Sequence, residues 1–498
     1  MAEENGGLIS DSLGSISQSA SIWGIGRIFS QLSTFFLIIV ITRSLGADGY
    51  GVYGFAVTIV TTTLFISRAG VGQSLSKFVP LYDKEAKQGE LLGIALGVSV
   101  SFSFLVSVAL FSAAGPISYY TLKSDSFVLV LRILSLSIIV RAVLKTVTHY
   151  FRARDEMEYN VLVNFISRPL IQLILVSSAL LLGYSLIGVA VATFLGFVLA
   201  TALSVTILLA KFRVFPKVPR SRELISEYLS FSAPMIVRDG AYLLMRNADT
   251  LMVGFVLANS SAVGVYKVAL YLTLFLLLPL QGVNQLFAPI ASRLYESGDM
   301  EALSSVYSTV TRWCFSLTLL LAIGLVGYRQ EVLDLFGSDF VTGGGVVLLF
   351  CLARMVSSSV GPTDQLLMMA NHQRLEMINL VFFGILNVVL NYLFLLEYGI
   401  IGAALATSII TVLNESARMA QIRWLLGINP YSSTFIKPLI AGTATGVSVW
   451  LSKLILSGIP LLVGGAIIGC LTFLVVLVLL GLEDDDRVLF NSVSPVRL

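Results

Sequence analysis

Polar and apolar positions in this chain come in long blocks. Apolar runs of about twenty residues, enough to cross ~30 Å of hydrocarbon as a helix, recur from end to end. They predict fourteen spans, at roughly 20–42, 52–70, 91–114, 126–146, 160–182, 186–210, 230–256, 263–287, 309–327, 344–368, 375–396, 399–420, 435–456 and 459–481. The seventh and tenth are the least apolar. The longest polar breaks, near 211–229, 290–308 and 421–434, are too short to hold a soluble domain. The expected fold class is an all-α polytopic membrane protein.

The blocks repeat. Gly51-Val52-Tyr53-Gly54-Phe55-Ala56 returns as Gly264-Val265-Tyr266-Lys267-Val268-Ala269, an offset of 213. Pro80 with Gly89-Glu90 returns as Pro289 with Gly298-Asp299, an offset of 209. Leu186 to Thr193 returns as Ile400 to Thr407, an offset of 214. Small residues in membrane helices often serve only close packing, but packing does not explain a common offset in a common order. The repeat unit is six helices. An even number restores orientation, so the copies are expected to be parallel, related by an axis along the membrane normal, as in transporters built from two bundles. The division expected is a tail at 1–19, a first lobe at 20–210, a linker at 211–229, a second lobe at 230–420, two additional helices within 421–481, and a tail at 482–498.

Composition agrees with the pattern: 56% of the 498 residues are hydrophobic and 12% charged, with a mean hydropathy of +0.89. The first twenty-one residues carry Glu3, Glu4 and Asp11 but no basic residue, so they lack a secretory n-region, and the first span is expected to be retained. Cys314, Cys351 and Cys470 all fall in spans and imply no disulfide framework. His149 and His372 lie in separate predicted loops and offer no metal cluster, so neither metal nor cofactor is expected. With the N-terminus inside, predicted cytoplasmic loops and tail hold 21 of the 32 Lys and Arg, Arg141 and Lys145 among them, against five on the other side. That asymmetry predicts both termini in the cytoplasm of a multi-pass plasma-membrane protein.

Three stretches resemble a known family. They are Thr42-Arg43-Ser44-Leu45-Gly46-Ala47-Asp48-Gly49-Tyr50-Gly51-Val52-Tyr53, the segment from Phe287-Ala288-Pro289 to Ala302-Leu303, and Tyr398-Gly399-Ile400-Ile401-Gly402-Ala403-Ala404-Leu405-Ala406-Thr407. The chain resembles, over residues 15–480, the Wzx-type oligosaccharide flippases of the multidrug/oligosaccharidyl-lipid/polysaccharide exporter superfamily. The resemblance implies two six-helix lobes around a central cavity that opens alternately to each side. It also implies a substrate in which a polyprenyl or dolichyl phosphate or diphosphate carries a glycan.

An ionisable residue at the centre of a span costs roughly 2.5–3.5 kcal/mol on insertion scales, so each is a functional candidate. Predicted spans 1 to 6 hold arginine but no acidic residue. Arg27 has Gln31 one turn on, with Ser30 and Thr34 nearby; a guanidinium fork there suits phosphate oxygens, whereas snorkelling to the interface is the alternative. In span 7, Asp239, Tyr242, Arg246 and Asp249 fall on one stripe beside Arg238. Arg246 and Asp249, three apart, neutralise each other in the alternative reading. Arg27, Gln31, Arg238, Tyr242 and Arg246 are the candidates for headgroup binding, and Asp239, Asp249 and Glu415 for ion coupling. Arg168 beside Pro169 is either cavity-adjacent or snorkelling, Asn387 and Asn391 read as interhelical glue, and Glu415 and Arg418 as an interfacial pair.

Four functions compete. A lipid-linked oligosaccharide flippase, serving surface polysaccharide or glycoprotein assembly, needs cations and hydroxyls for an anionic headgroup. A drug/cation antiporter of the same superfamily needs an embedded carboxylate, which spans 1 to 6 lack. A membrane glycosyltransferase or polymerase usually needs a sizeable external loop with an acidic residue, and a passive scaffold leaves the arginines unexplained. The flippase is the expected reading, and no enzyme activity is expected. Its partners are the lipid-linked oligosaccharide, membrane lipids and the polymerase, ligase or oligosaccharyltransferase machinery, with no nucleic acid.

Overall fold

The computed structural model describes residues 2–68, 70–82, 85–219, 222–481 and 483; the side chains of 2–23, 65–68, 85–86, 233–244 and 285 lie outside that description. Helices make up nearly all of the described chain, and none of its residues forms a strand. Eleven helices among the described residues are long and apolar enough to cross a membrane. The chain forms two compact units, Met1–Gly264 and Val265–Leu498.

The first unit contains α1 (Ala2–Arg68), α2 (Val71–Phe78), α3 (Glu85–Tyr120), α4 (Asp125–Ala153), α5 (Met157–Val161), α6 (Arg168–Leu181), α7 (Leu186–Ala210) and α8 (Arg222–Val256). Helix α1 carries the first two predicted spans. Its one non-helical residue is Gly46, at φ 67° and ψ −175°, a conformation that a side chain would resist. Helix α4 is central, packing against α1, α3 and α7. Ser124 caps it by accepting from the Phe127 amide at 3.4 Å. Arg141 and Lys145, counted above as loop cations, belong to this helix, because it runs on to Ala153. The unit contains a buried cluster that includes Leu75, Phe78, Tyr150, Phe151 and Tyr228.

The second unit contains the rest of α9 (Ser260–Thr273), then α10 (Leu278–Glu296), α11 (Met300–Gly327), α12 (Arg329–Asp334), α13 (Gly344–Val360), α14 (Thr363–Met369), α15 (Gln373–Leu426), α16 (Ile436–Ile455) and α17 (Gly458–Leu479). The polar break expected at 290–308 is almost wholly helical. Helices α10 and α11 extend beyond their apolar runs because one face stays buried: Leu303 and Tyr307 pack with Phe287 and Ala291. Only Ser297–Asp299 interrupts them, and Asp299 caps α11 by accepting from the Ala302 amide at 3.0 Å. Helix α15 carries two predicted spans and breaks at Gly399.

Candidate functional site: a cationic cluster in the first unit

Gly26 brings α1 against α5 and the segment after it. A Cβ there would lie 2.5 Å from Val161 Cγ1 and 3.3 Å from Phe165 Cβ, so only glycine lets the helices come this close. The next residue is Arg27. Between α5 and α6, Leu162–Ser167 is wound as a π-helix, a rare geometry found mostly at functional sites. It ends at Arg168, which stands within electrostatic range of Arg27. Arg168 Nε is buried and makes no hydrogen bond among the described residues. The structure thus brings together Arg27, a predicted site residue, and Arg168, a weaker candidate 141 positions away in sequence.

Neutral oxygens line the same helices. Lys145 Nζ donates to Asn164 Oδ1 at 3.1 Å, and Asn164 Nδ2 donates to Asn160 Oδ1 at 2.8 Å. Arg141 Nη2 donates to Thr61 Oγ1 at 3.3 Å, and its guanidinium lies 4.7 Å from the centre of the Phe197 ring. The acceptors in these hydrogen bonds are neutral. Gln31 is half-buried on the same helix as Arg27. On α8, Arg246 is exposed, Asp249 is buried, and Asn247 Nδ2 donates to Thr62 Oγ1 at 3.0 Å. The side chains of Arg238, Asp239 and Tyr242 lie outside the described residues.

The duplicated glycines meet. A Cβ on Gly51 would lie 1.7 Å from Ser260 O and 3.1 Å from Gly264 N; one on Gly264 would lie 2.2 Å from Ala47 O and 3.1 Å from Gly51 N. Each contact is matched by its counterpart at the 213-residue offset, so the pairing is reciprocal. Asp48 accepts a hydrogen bond from Ser260 beside it. Two further repeat elements also touch, Tyr53 Oη and Thr193 Oγ1 at 3.0 Å.

In the second unit Glu415 holds Arg418 Nη1 at 3.1 Å and accepts from Thr363 Oγ1 at 2.9 Å. Arg418 also forks onto Glu376, its Nε 3.0 Å from Oε2. Sequence reasoning missed Glu376, 42 residues away; its only signal was a carboxylate in the first turn of a predicted span. Asn387 and Asn391 both donate to Thr407 at 3.2 Å, joining the two halves of α15.

Comparison with known proteins fits these features. The profile of the family described as polysaccharide biosynthesis protein matches residues 16–295, more than half of the chain. A curated relative, the probable low-salt glycan biosynthesis flippase Agl15 of Haloferax volcanii, is 26% identical over 167 residues, which are 33% of this chain and 35% of that one. The match therefore spans about a third of that relative. Among solved structures, the lipid II flippase MurJ in an inward closed conformation superposes with a TM-score of 0.71 at 15% identity, covering 94% of this chain and 99% of the other. An inward-facing multidrug resistance MATE family transporter gives 0.64 at 15% identity, covering 81% and 98%. The chain shares the fold of these two structures, and it is a multi-pass membrane protein that belongs to the polysaccharide biosynthesis protein family.

Proposed function

We propose that this chain is a flippase that carries a lipid-linked oligosaccharide across the plasma membrane by alternating access, with both termini cytoplasmic. The observation that carries the reading is the juxtaposition of Arg27 and Arg168. Two arginines within electrostatic range of each other, in predicted spans that hold no carboxylate, make a cationic region that attracts an anion. A phosphate or diphosphate between polyprenyl chain and glycan supplies that charge, and a pair of its oxygens can accept two parallel N–H bonds from the planar guanidinium fork. Gln31 offers a neutral hydrogen-bonding group one turn on, and Arg238, Tyr242 and Arg246 of α8 are the further binding residues. Asp239 and Asp249 are the ion-coupling groups of this reading, and Glu415, engaged by Arg418 and Thr363, could take part only by leaving that pair. The antiporter reading gains little from Glu415, whose carboxylate is already engaged by Arg418 and Thr363.

The test is glycan delivery to the outer surface, read beside protein level. Arg27→Ala and Arg168→Ala each lower delivery by about 100-fold or more while the protein still accumulates, and Arg27→Lys restores only part, since ammonium keeps the charge but loses the fork. Wild-type delivery by both alanine variants would remove the arginines from substrate handling.

A further inference from the structure

The second unit holds an open groove of about 440 Å3 between α11, α13 and α16. Its walls are helical stripes. Gly446, Val449, Trp450 and Lys453 follow one face of α16, and Leu348, Leu352 and Met355 follow one face of α13. Two glycines set its shape. A Cβ on Gly327 would lie 2.3 Å from Val449 Cγ1, so α11 and α16 are in close contact at that level. One turn away along α16, a Cβ on Gly446 would meet nothing within 4 Å, and there the groove is open.

The groove is polarised along its length. Its walls are hydrocarbon, with Leu352 51% and Trp450 62% exposed, and apolar walls of this kind do not hold water. Its rim is cationic. Arg329 begins α12 just beyond the end of α11, and its Cδ lies 3.7 Å from where a Cβ on Gly344, the first residue of α13, would be. Lys453, near the end of α16, is paired with Glu331 at 3.1 Å. Arg329 Nη1 donates to Val326 O at 3.0 Å, and the side chain makes no ion pair among the described residues. Asp334, on the same short helix, is exposed and does not line the groove. Two cations and one carboxylate leave the rim one net positive charge. Water bonds to a guanidinium without offsetting its charge, and it leaves the apolar walls bare. An occupant that answers both ends is amphipathic, with a hydrocarbon chain and an anionic head.

We propose that this groove binds one acyl chain of a phospholipid whose headgroup carries net negative charge, with a phosphodiester oxygen on Arg329. A zwitterionic headgroup brings its own cation to the rim and offsets less of the charge. The proposal is independent of the flippase reading, which rests on Arg27 and Arg168. It is tested on the purified full chain in non-ionic detergent with added phosphatidylglycerol or phosphatidylcholine of the same chains. Native mass spectrometry reads the lipid retained, and thermal unfolding reads the midpoint. Phosphatidylglycerol is retained and raises the midpoint at lower concentration than phosphatidylcholine. Arg329→Gln weakens the phosphatidylglycerol response at least about tenfold, the scale of one charge-assisted hydrogen bond, and leaves the two lipids equal. Gly446→Leu fills the groove from its open side and leaves the arginine in place; it also weakens the phosphatidylglycerol response. Equal responses to the two lipids in the wild type, an undiminished preference in Arg329→Gln, or an undiminished phosphatidylglycerol response in Gly446→Leu overturns the proposal.

Discussion

Arg27 in the first unit and Arg418 in the second are the same side chain under opposite conditions. Arg418 is clasped by two carboxylates, Glu376 and Glu415, on the two halves of one long helix and has little exposed surface. Arg27 has another arginine, Arg168, in its field, on helices whose described polar partners include the neutral oxygens of Thr61 and Asn164. A guanidinium clasped by carboxylates serves the fold, since removing it strands buried negative charge. A guanidinium held beside a like charge is under a repulsion that an arriving anion would relieve. Charge count alone does not separate the two; the neighbours do.

The sharpest way to break this contrast is to remove each cation and measure unfolding. Arg418→Ala strands Glu376 and Glu415 and is expected to cost about 3–5 kcal/mol, seen as a large fall in the thermal midpoint in detergent. Arg27→Ala in the same assay is expected to lower the midpoint much less than Arg418→Ala does. Equal losses from both variants would show that the first-unit arginines are structural too. A middle-sized effect comes from the reciprocal glycines. Gly51→Ala and Gly264→Ala each force backbone apart and are expected to cost about 1–3 kcal/mol. The two losses should be similar, and the double variant should cost less than their sum, since one displacement relieves both clashes. Additive losses would mean the two sites are separate. The smallest effect is expected at the repeat tyrosine: Tyr53→Phe forfeits the hydrogen bond to Thr193, worth about 0.5–1.5 kcal/mol, read as a small shift of the same midpoint.

Much of this was legible in the sequence, for reasons that can be named. Apolar blocks specify membrane helices because a backbone in lipid has no other way to satisfy its amides. The duplicated Gly-Val-Tyr marked a pair of related positions, but the reason for glycine there, a carbonyl where a Cβ would be, needed coordinates. Arg27 and Arg168 were each visible as a cost paid inside a span. Their proximity was not, because it depends on how α1 crosses the end of α5 at Gly26. Glu376 escaped because a carboxylate near a span end looks like a solvated one until its partner on the returning helix is known. Arg141 and Lys145 were misplaced because a helix can outlast its apolar run.

The π-helical turn at Leu162–Ser167 also has a bearing on how such a protein changes over generations. A turn of this kind holds one residue more than an α-turn. Deleting one codon anywhere in the segment would restore the regular winding and swing everything after it by about 100°. Arg168 would then face another neighbour although every amino acid retained in the helix was unchanged. In this stretch the reading frame of the helix, as much as its alphabet, decides which residues meet Arg27, so gaps in an alignment here carry more meaning than substitutions.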